Sequence, residues 1–261
     1  KQKYYDLEQA NEKRINIFVN LAHETKTPLT LINNYLQEYI RKNGTNKELD
    51  VIKSAVGKLS KDIVNFFDLE RINKGFNIYN HNQIADFGEV VTECIILFTH
   101  YANQMNIELI HTIENNIHVK AAPEALQRIV FNLMENAIKY SPPDNKIWVE
   151  LSSIDNQTVL KIKDNGIGIP VELHQNIFEP YYQINSEKAN FQGMGLGLSI
   201  IKKIIDELKG DITIHSNPST TSGTEVLVRL PQSHEKNKEL TTFLKNDNNF
   251  YETEALTAIE K

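Results

Sequence analysis

Small and apolar residues recur in alternating steps of three and four at Ile15, Phe18, Ala22, Thr25, Leu29, Ile32, Leu36 and Tyr39. That spacing traces one face of an α-helix. It predicts one long helix from about Tyr5 to Lys42, broken by Asn43-Gly44. A second repeat, Leu49, Ile52, Val56, Leu59, Ile63 and Phe66, predicts a helix from about Lys47 to Asn73 that Lys74-Gly75 ends. Two such helices form an antiparallel hairpin with one apolar stripe on each member. One hairpin cannot enclose both stripes, whereas two hairpins paired as a four-helix bundle bury all four. A homodimer is therefore expected.

Beyond the hairpin the pattern alternates between helix and strand. Phe76 to about Gln83 reads as a connector or edge strand, Asp86 to Asn106 as a helix and Ile107 to Glu114 as a strand. Ala122 to Tyr140 is helical in pattern and is stopped by Ser141-Pro142-Pro143. Lys146 to Ser153 and Thr158 to Asp164 alternate as strands around an Asp155-Asn156 turn. A helix from Leu198 to Lys209 and strands Asp211 to His215 and Thr224 to Leu230 complete an α/β sandwich with a mixed sheet and helices on one side. Residues 232–261 are polar and read as a tail or linker. The division expected is thus a hairpin over 1–75, a sandwich over 76–231 and the tail.

Composition narrows the function. A formal net charge of −6 argues against direct nucleic-acid binding by this region. The single cysteine, Cys94, lies in the apolar run Cys94-Ile-Ile-Leu-Phe98 and reads as a buried small hydrophobe. No apolar run approaches the about 20 residues that span a bilayer, so no membrane insertion by this region is expected.

The candidate chemistry falls into two halves. His23 stands in Phe18-Val-Asn-Leu-Ala-His-Glu-Thr-Lys-Thr-Pro-Leu-Thr30. With Ala22 in the seam, His23 is rotated by about 100° and faces outward, and Thr27, four residues on, shares its face. Pro28 removes a helical hydrogen bond, so a bend is expected just after the histidine. In the second half, Asn132, Asn136 and Lys139 share a face distinct from the apolar face of Leu126, Ile129, Val130, Leu133 and Ala137. Amide oxygens suit Mg²⁺, and a lysine offsets phosphate charge. Asp164-Asn-Gly-Ile-Gly-Ile-Pro170 follows a strand. Asp164 can accept a hydrogen bond from an exocyclic amine such as that of adenine, while Gly166 and Gly168 permit close approach and positive φ. Gly193-Met-Gly-Leu-Gly-Leu198 leads into a helix, as a phosphate cradle would. It lacks the strand and third-glycine spacing of a dinucleotide fingerprint. Between the two glycine loops, residues 175–192 are mostly polar.

On these residues the chain, from Ile15 to Pro231, resembles the sensor histidine kinases of two-component signalling, and its wording around His23 is similar to hybrid sensors of gut Bacteroidetes. The stretch around His23 looks like their H-box and Asn132-Leu-Met-Glu-Asn-Ala-Ile-Lys-Tyr-Ser141 like their N-box. Asp164-Asn-Gly-Ile-Gly is similar to the first glycine box, Phe178-Glu-Pro-Tyr181 to the F-box and Gly193-Met-Gly-Leu-Gly to the second glycine box. Ser222-Gly-Thr-Glu225 looks like the closing motif.

The resemblance implies a dimerising hairpin followed by an ATP-binding sandwich of the histidine kinase, gyrase, Hsp90 and MutL type. It also implies ATP-dependent autophosphorylation of His23 and onward transfer to an aspartate of a response-regulator receiver, which in hybrid relatives belongs to the same full-length chain. Glu24 would serve as base or orient the ring, and Thr27 would position water for receiver dephosphorylation. Asn136 would bind Mg²⁺ with help from Asn132, and Lys139 and Tyr140 would contact phosphates. Asp164, Gly166, Gly168, Gly193, Gly195, Gly197 and Thr224 would line the nucleotide. By the same resemblance this region is the cytoplasmic portion of an inner-membrane sensor. Intact His23, Asn136 and Asp164 argue against a silent nucleotide-binding scaffold; a phosphatase-dominant sensor is the remaining alternative.

Overall fold

A computed structural model describes residues 24–184, 193–219 and 221–233. They divide into two compact units, one of residues 24–78, 180–184 and 193–200, the other of 79–179 and 201–233.

The first unit opens with helix α1, residues 24–43, which continues through Pro28. Helix α2, Lys47–Asn73, follows after three residues. Gly44, at φ 80°, lets the chain reverse, and Asn46 caps α2 by accepting from the Leu49 N–H at 2.8 Å. The far end of α2 closes on Gly75, also at φ 80°. There the Phe76 N–H reaches Arg71 O at 3.1 Å and the Gly75 N–H reaches Ile72 O at 2.8 Å. This pair of bonds is a Schellman closure, with glycine at the one left-handed position. Leu31, Ile32, Tyr35 and Tyr39 of α1 and Val51, Ile52 and Leu59 of α2 are exposed.

The second unit is a sandwich. Strand β1 (Ile84–Asp86) leads into helix α3 (Phe87–Gln104), followed by β2 (Glu108–Ile113), β3 (His118–Lys120) and helix α4 (Pro123–Tyr140). Strands β4 (Lys146–Ile154) and β5 (Gln157–Asp164) come next, then β6 (Asp211–Asn217) and β7 (Thr221–Pro231). Helix α5, Gly197–Glu207, crosses the boundary between the units. The main sheet has the order β2-β4-β5-β7-β6, with β2 and β4 parallel and the other pairs antiparallel. The expected mixed sheet is present.

Strands β1 and β3 form a separate two-stranded ribbon that the sequence reading did not contain. Each has three residues, too few to display a period of two. The segment 76–83 is accordingly a connector, and the strand begins after it. Asp86 is the N-cap of α3, accepting from the Glu89 N–H at 3.2 Å, and not its first helical residue. Asp155 and Asn156, both at positive φ, make the primed turn between β4 and β5.

The apolar core runs along one face of the sheet. Ile147, Val149 and Leu151 of β4 pair with Asp164, Ile162 and Leu160 of β5, and all six are buried. On β7, Thr224, Val226 and Val228 continue the same rows. Because cross-strand partners share a face, Asp164 and Thr224 are the polar end of an otherwise apolar row. Against this core, α3 and α4 meet through Phe98 and Phe131, whose rings are 4.9 Å apart edge to face. Cys94 is fully buried on α3, and burial pushes its thiol pKa up, making it an inert packing group as expected.

The start of the polar C-terminal segment is tied to the sandwich. The Gln232 N–H donates to Asn156 O at 3.1 Å and the Ser233 N–H to His118 O at 2.7 Å.

Candidate functional site

The site in the second unit is built where β5 ends against the last turn of α4. Asp164 closes β5 with 7% of its surface exposed. Its Oδ1 accepts from the Gly166 N–H at 2.7 Å and from the Thr224 N–H at 3.2 Å. Burial raises its pKa, and the two backbone N–H groups pull it back down. Both bonds fall on one oxygen, which leaves Oδ2 as the acceptor for a ligand amine.

Gly166 is required by packing. A Cβ there would collide with the backbone oxygen of Tyr140 and lie 2.7 Å from Asp164 Oδ1. Its φ is not positive, so the expectation of a left-handed conformation at Gly166 is corrected: close approach to the end of α4 excludes a side chain. Gly168, at φ 72°, does adopt the left-handed conformation. Gly223, at φ 94°, faces the Asp164 backbone oxygen so closely that no Cβ fits. Ser216 on β6 binds these loops together. Its Oγ accepts from the Ile169 N–H at 2.8 Å, donates to Gly223 O at 2.7 Å and lies 3.4 Å from Thr224 Oγ1. Sequence reading missed Ser216, because one serine in a short strand carries no pattern.

Helix α4 supplies the asparagines. Asn132 is buried, and its Nδ2 donates to Arg128 O at 2.8 Å. The predicted separate polar face is therefore corrected. Helix α4 packs against both α3 and β5, so residues 128 to 134 are buried all round, Asn132 among them. Asn136 is half-buried, and Lys139 and Tyr140 are exposed. Lys139 Nζ lies 4.8 Å from the centre of the Tyr140 ring. Asn132, Asn136, Lys139, Tyr140, Asp164, Gly166, Gly168 and Thr224 thus belong to one unit.

The second glycine loop belongs to the first unit, and Gly197 is the first residue of α5. Gly193 and Gly195 have φ of 88° and 73°. The Tyr181 N–H donates to Gly195 O at 3.1 Å, and Gln183 Nε2 donates to Gly193 O at 2.5 Å. Glu24 and Thr27 are exposed on α1. His23 lies outside the described residues.

The donor set fits a nucleotide with a divalent cation. Among the described residues no group of three or more His, Cys, Asp or Glu side chains could hold a metal by itself; the side chains of Asn132 and Asn136 on α4 carry neutral amide oxygens. That suits Mg²⁺ carried in on phosphate oxygens. No helix among the described residues is long and apolar enough to cross a membrane.

Residues 121–234 match the model of the histidine kinase-, DNA gyrase B- and HSP90-like ATPase family. The hybrid signal transduction histidine kinase D of Dictyostelium discoideum is 27% identical over 260 residues, covering 95% of this chain and 17% of that protein. The sensor protein VanSC of Enterococcus gallinarum is 28% identical over 218 residues, covering 81% of this chain and 60% of that protein. The chain therefore spans less than two thirds of either relative. Full-length ShkA, solved in complex with AMPPNP, shares the fold at a TM-score of 0.67 and 19% identity, over 84% of this chain and 46% of that one. Residues 121–234 thus match an ATPase domain of this type behind a helical segment, and over most of its length the chain is similar to sensor histidine kinases.

Proposed function

We propose that this chain autophosphorylates His23 from ATP and passes the phosphoryl group to an aspartate on a response-regulator receiver. An imidazole nitrogen of His23 attacks the γ-phosphorus. A nitrogen–phosphorus bond forms, the bridging oxygen–γ-phosphorus bond breaks, and ADP leaves with its electron pair. Glu24 takes up the proton or orients the ring. Asp164 Oδ2 accepts from the adenine amine, and Gly166, Gly168 and Thr224 shape that pocket. Asn136, with Asn132, would hold Mg²⁺, which would offset phosphate charge. Lys139 and Tyr140 contact phosphates, and Gly193, Gly195 and Gly197 supply amides to them. Such transfer needs positioning and charge compensation more than covalent help.

The observation that carries this reading is the Asp164 carboxylate, buried beside a glycine whose added Cβ would collide with the Tyr140 carbonyl, with Oδ1 committed to two backbone N–H groups.

On this reading residues 1–75 dimerise, 76–231 bind ATP and 232–261 lead onward. The exposed apolar residues of α1 and α2 support pairing with a second hairpin. Thr27 orients water when the receiver is dephosphorylated. The region is the cytoplasmic portion of an inner-membrane sensor, with the receiver on the same full-length chain or a separate one.

Radiolabelled ATP with Mg²⁺ tests the reading. Acid-labile, base-stable label on the wild type and none on His23→Gln is expected. Equal label on both would overturn it.

A further inference from the structure

Within the first unit, the Met194 N–H donates to Asp62 Oδ1 on α2 at 3.1 Å, across 132 positions of sequence. A Cβ on the adjacent Gly193 would sit 3.7 Å from the same oxygen. The carbonyls on either side of Met194, those of Gly193 and Gly195, are turned back into their own loop by Gln183 and Tyr181. Gly193 and Gly195, both left-handed, leave the intervening amide uncovered, and Asp62 is the acceptor it meets.

An N–H has one proton to share. To that proton, a carboxylate oxygen and a phosphoryl oxygen are the same kind of acceptor, anionic and compact. We infer that Asp62 is an intramolecular competitor for the nucleotide's phosphates. In the nucleotide-free protein it engages the Met194 amide of the second glycine loop and keeps that loop on the hairpin helix. ATP binding then exchanges the Asp62 carboxylate for a phosphoryl oxygen at this N–H. The hairpin helix thereby opposes loading of the glycine loop, and a shift of α2 that withdraws Asp62 relieves the opposition. This rests on the assignment of Gly193, Gly195 and Gly197 to the phosphates.

Hydrogen exchange and equilibrium ATP binding on the whole chain test it together. Asp62→Asn removes the charge, and Asp62→Ala removes the acceptor while improving helix propensity, so α2 is retained. In nucleotide-free protein, exchange at the Met194 amide should be faster in Asp62→Ala than in wild type, with Asp62→Asn, whose Oδ1 still accepts, in between. The dissociation constant for ATP should fall by about three- to ten-fold in Asp62→Ala, the worth of one net hydrogen bond. Adenosine, which has no phosphate, should bind both proteins equally. Unchanged exchange, or an unchanged constant for ATP, overturns the inference while leaving ATP binding intact. Absence of ATP binding in wild type and variants alike overturns the nucleotide reading and this inference with it, even if exchange responds.

Discussion

The Thr224 N–H donates to Asp164 Oδ1 at 3.2 Å, joining the start of β7 to the end of β5 across 60 positions of sequence. The same oxygen accepts from Gly166 two residues on. One carboxylate oxygen therefore ties the loop after β5 to the turn before β7, and the outcome of replacing it can be stated.

Asp164→Asn keeps an Oδ1 for both backbone donors but turns an amide N–H₂ toward the ligand. A donor then faces the adenine amine, so ATP affinity should fall by about ten-fold or more, with little loss of fold. Calorimetric titration with ATP checks this.

The same variant carries a pH signature. Burial raises the Asp164 pKa above its ordinary 3.8, so the folded state holds the proton more tightly than the unfolded chain does. That contribution is complete below 3.8 and is lost as pH rises through the folded value. Without nucleotide, the urea midpoint of Asp164→Asn minus that of wild type should grow across this window and then level off. A difference independent of pH would contradict the assignment.

Gly166→Ala drives a methyl group into the Tyr140 carbonyl. Backbone cannot swing aside as a side chain can, so a loss of about 1–3 kcal/mol is expected. Chemical denaturation reads it, and nucleotide affinity should fall in parallel because the same loop moves.

Ser216→Ala leaves the Ile169 N–H and the Gly223 carbonyl without the hydroxyl that joins them. About 2 kcal/mol should be lost, the usual cost of orphaned buried polar groups. Ser216→Thr, which retains the hydroxyl, should recover part of it.

Gly75→Ala separates conformation from crowding. A Cβ there meets nothing within 4 Å, yet φ is 80°. Only the left-handed backbone resists the change, and about 1 kcal/mol of destabilisation is expected. A thermal melt of the whole chain measures it.

The long helices were legible because each repeats its apolar step many times, as Leu49 through Phe66 do along α2. Strands β4 and β5 were legible through alternation and the Asp155-Asn156 turn. Strands β1 and β3 were not, being shorter than the signal that announces a strand. At the site, Asp164 and Gly168 could be read from a local motif. Ser216 and the burial of Asn132 could not, because each depends on which segments pack together. Gly166 is constrained by its missing side chain and not by a left-handed φ, a difference that sequence cannot tell. Asp62 had no motif at all, since its partner lies 132 residues away.

The parallel pairing of β2 with β4 limits how α4 can move. The chain between those strands must cross over, and α4 is the bridge. A girder bolted to the sheet at both ends cannot slide without tearing one seam or the other. Asn132 and Asn136 therefore ride on a helix held in register with the sheet from both sides.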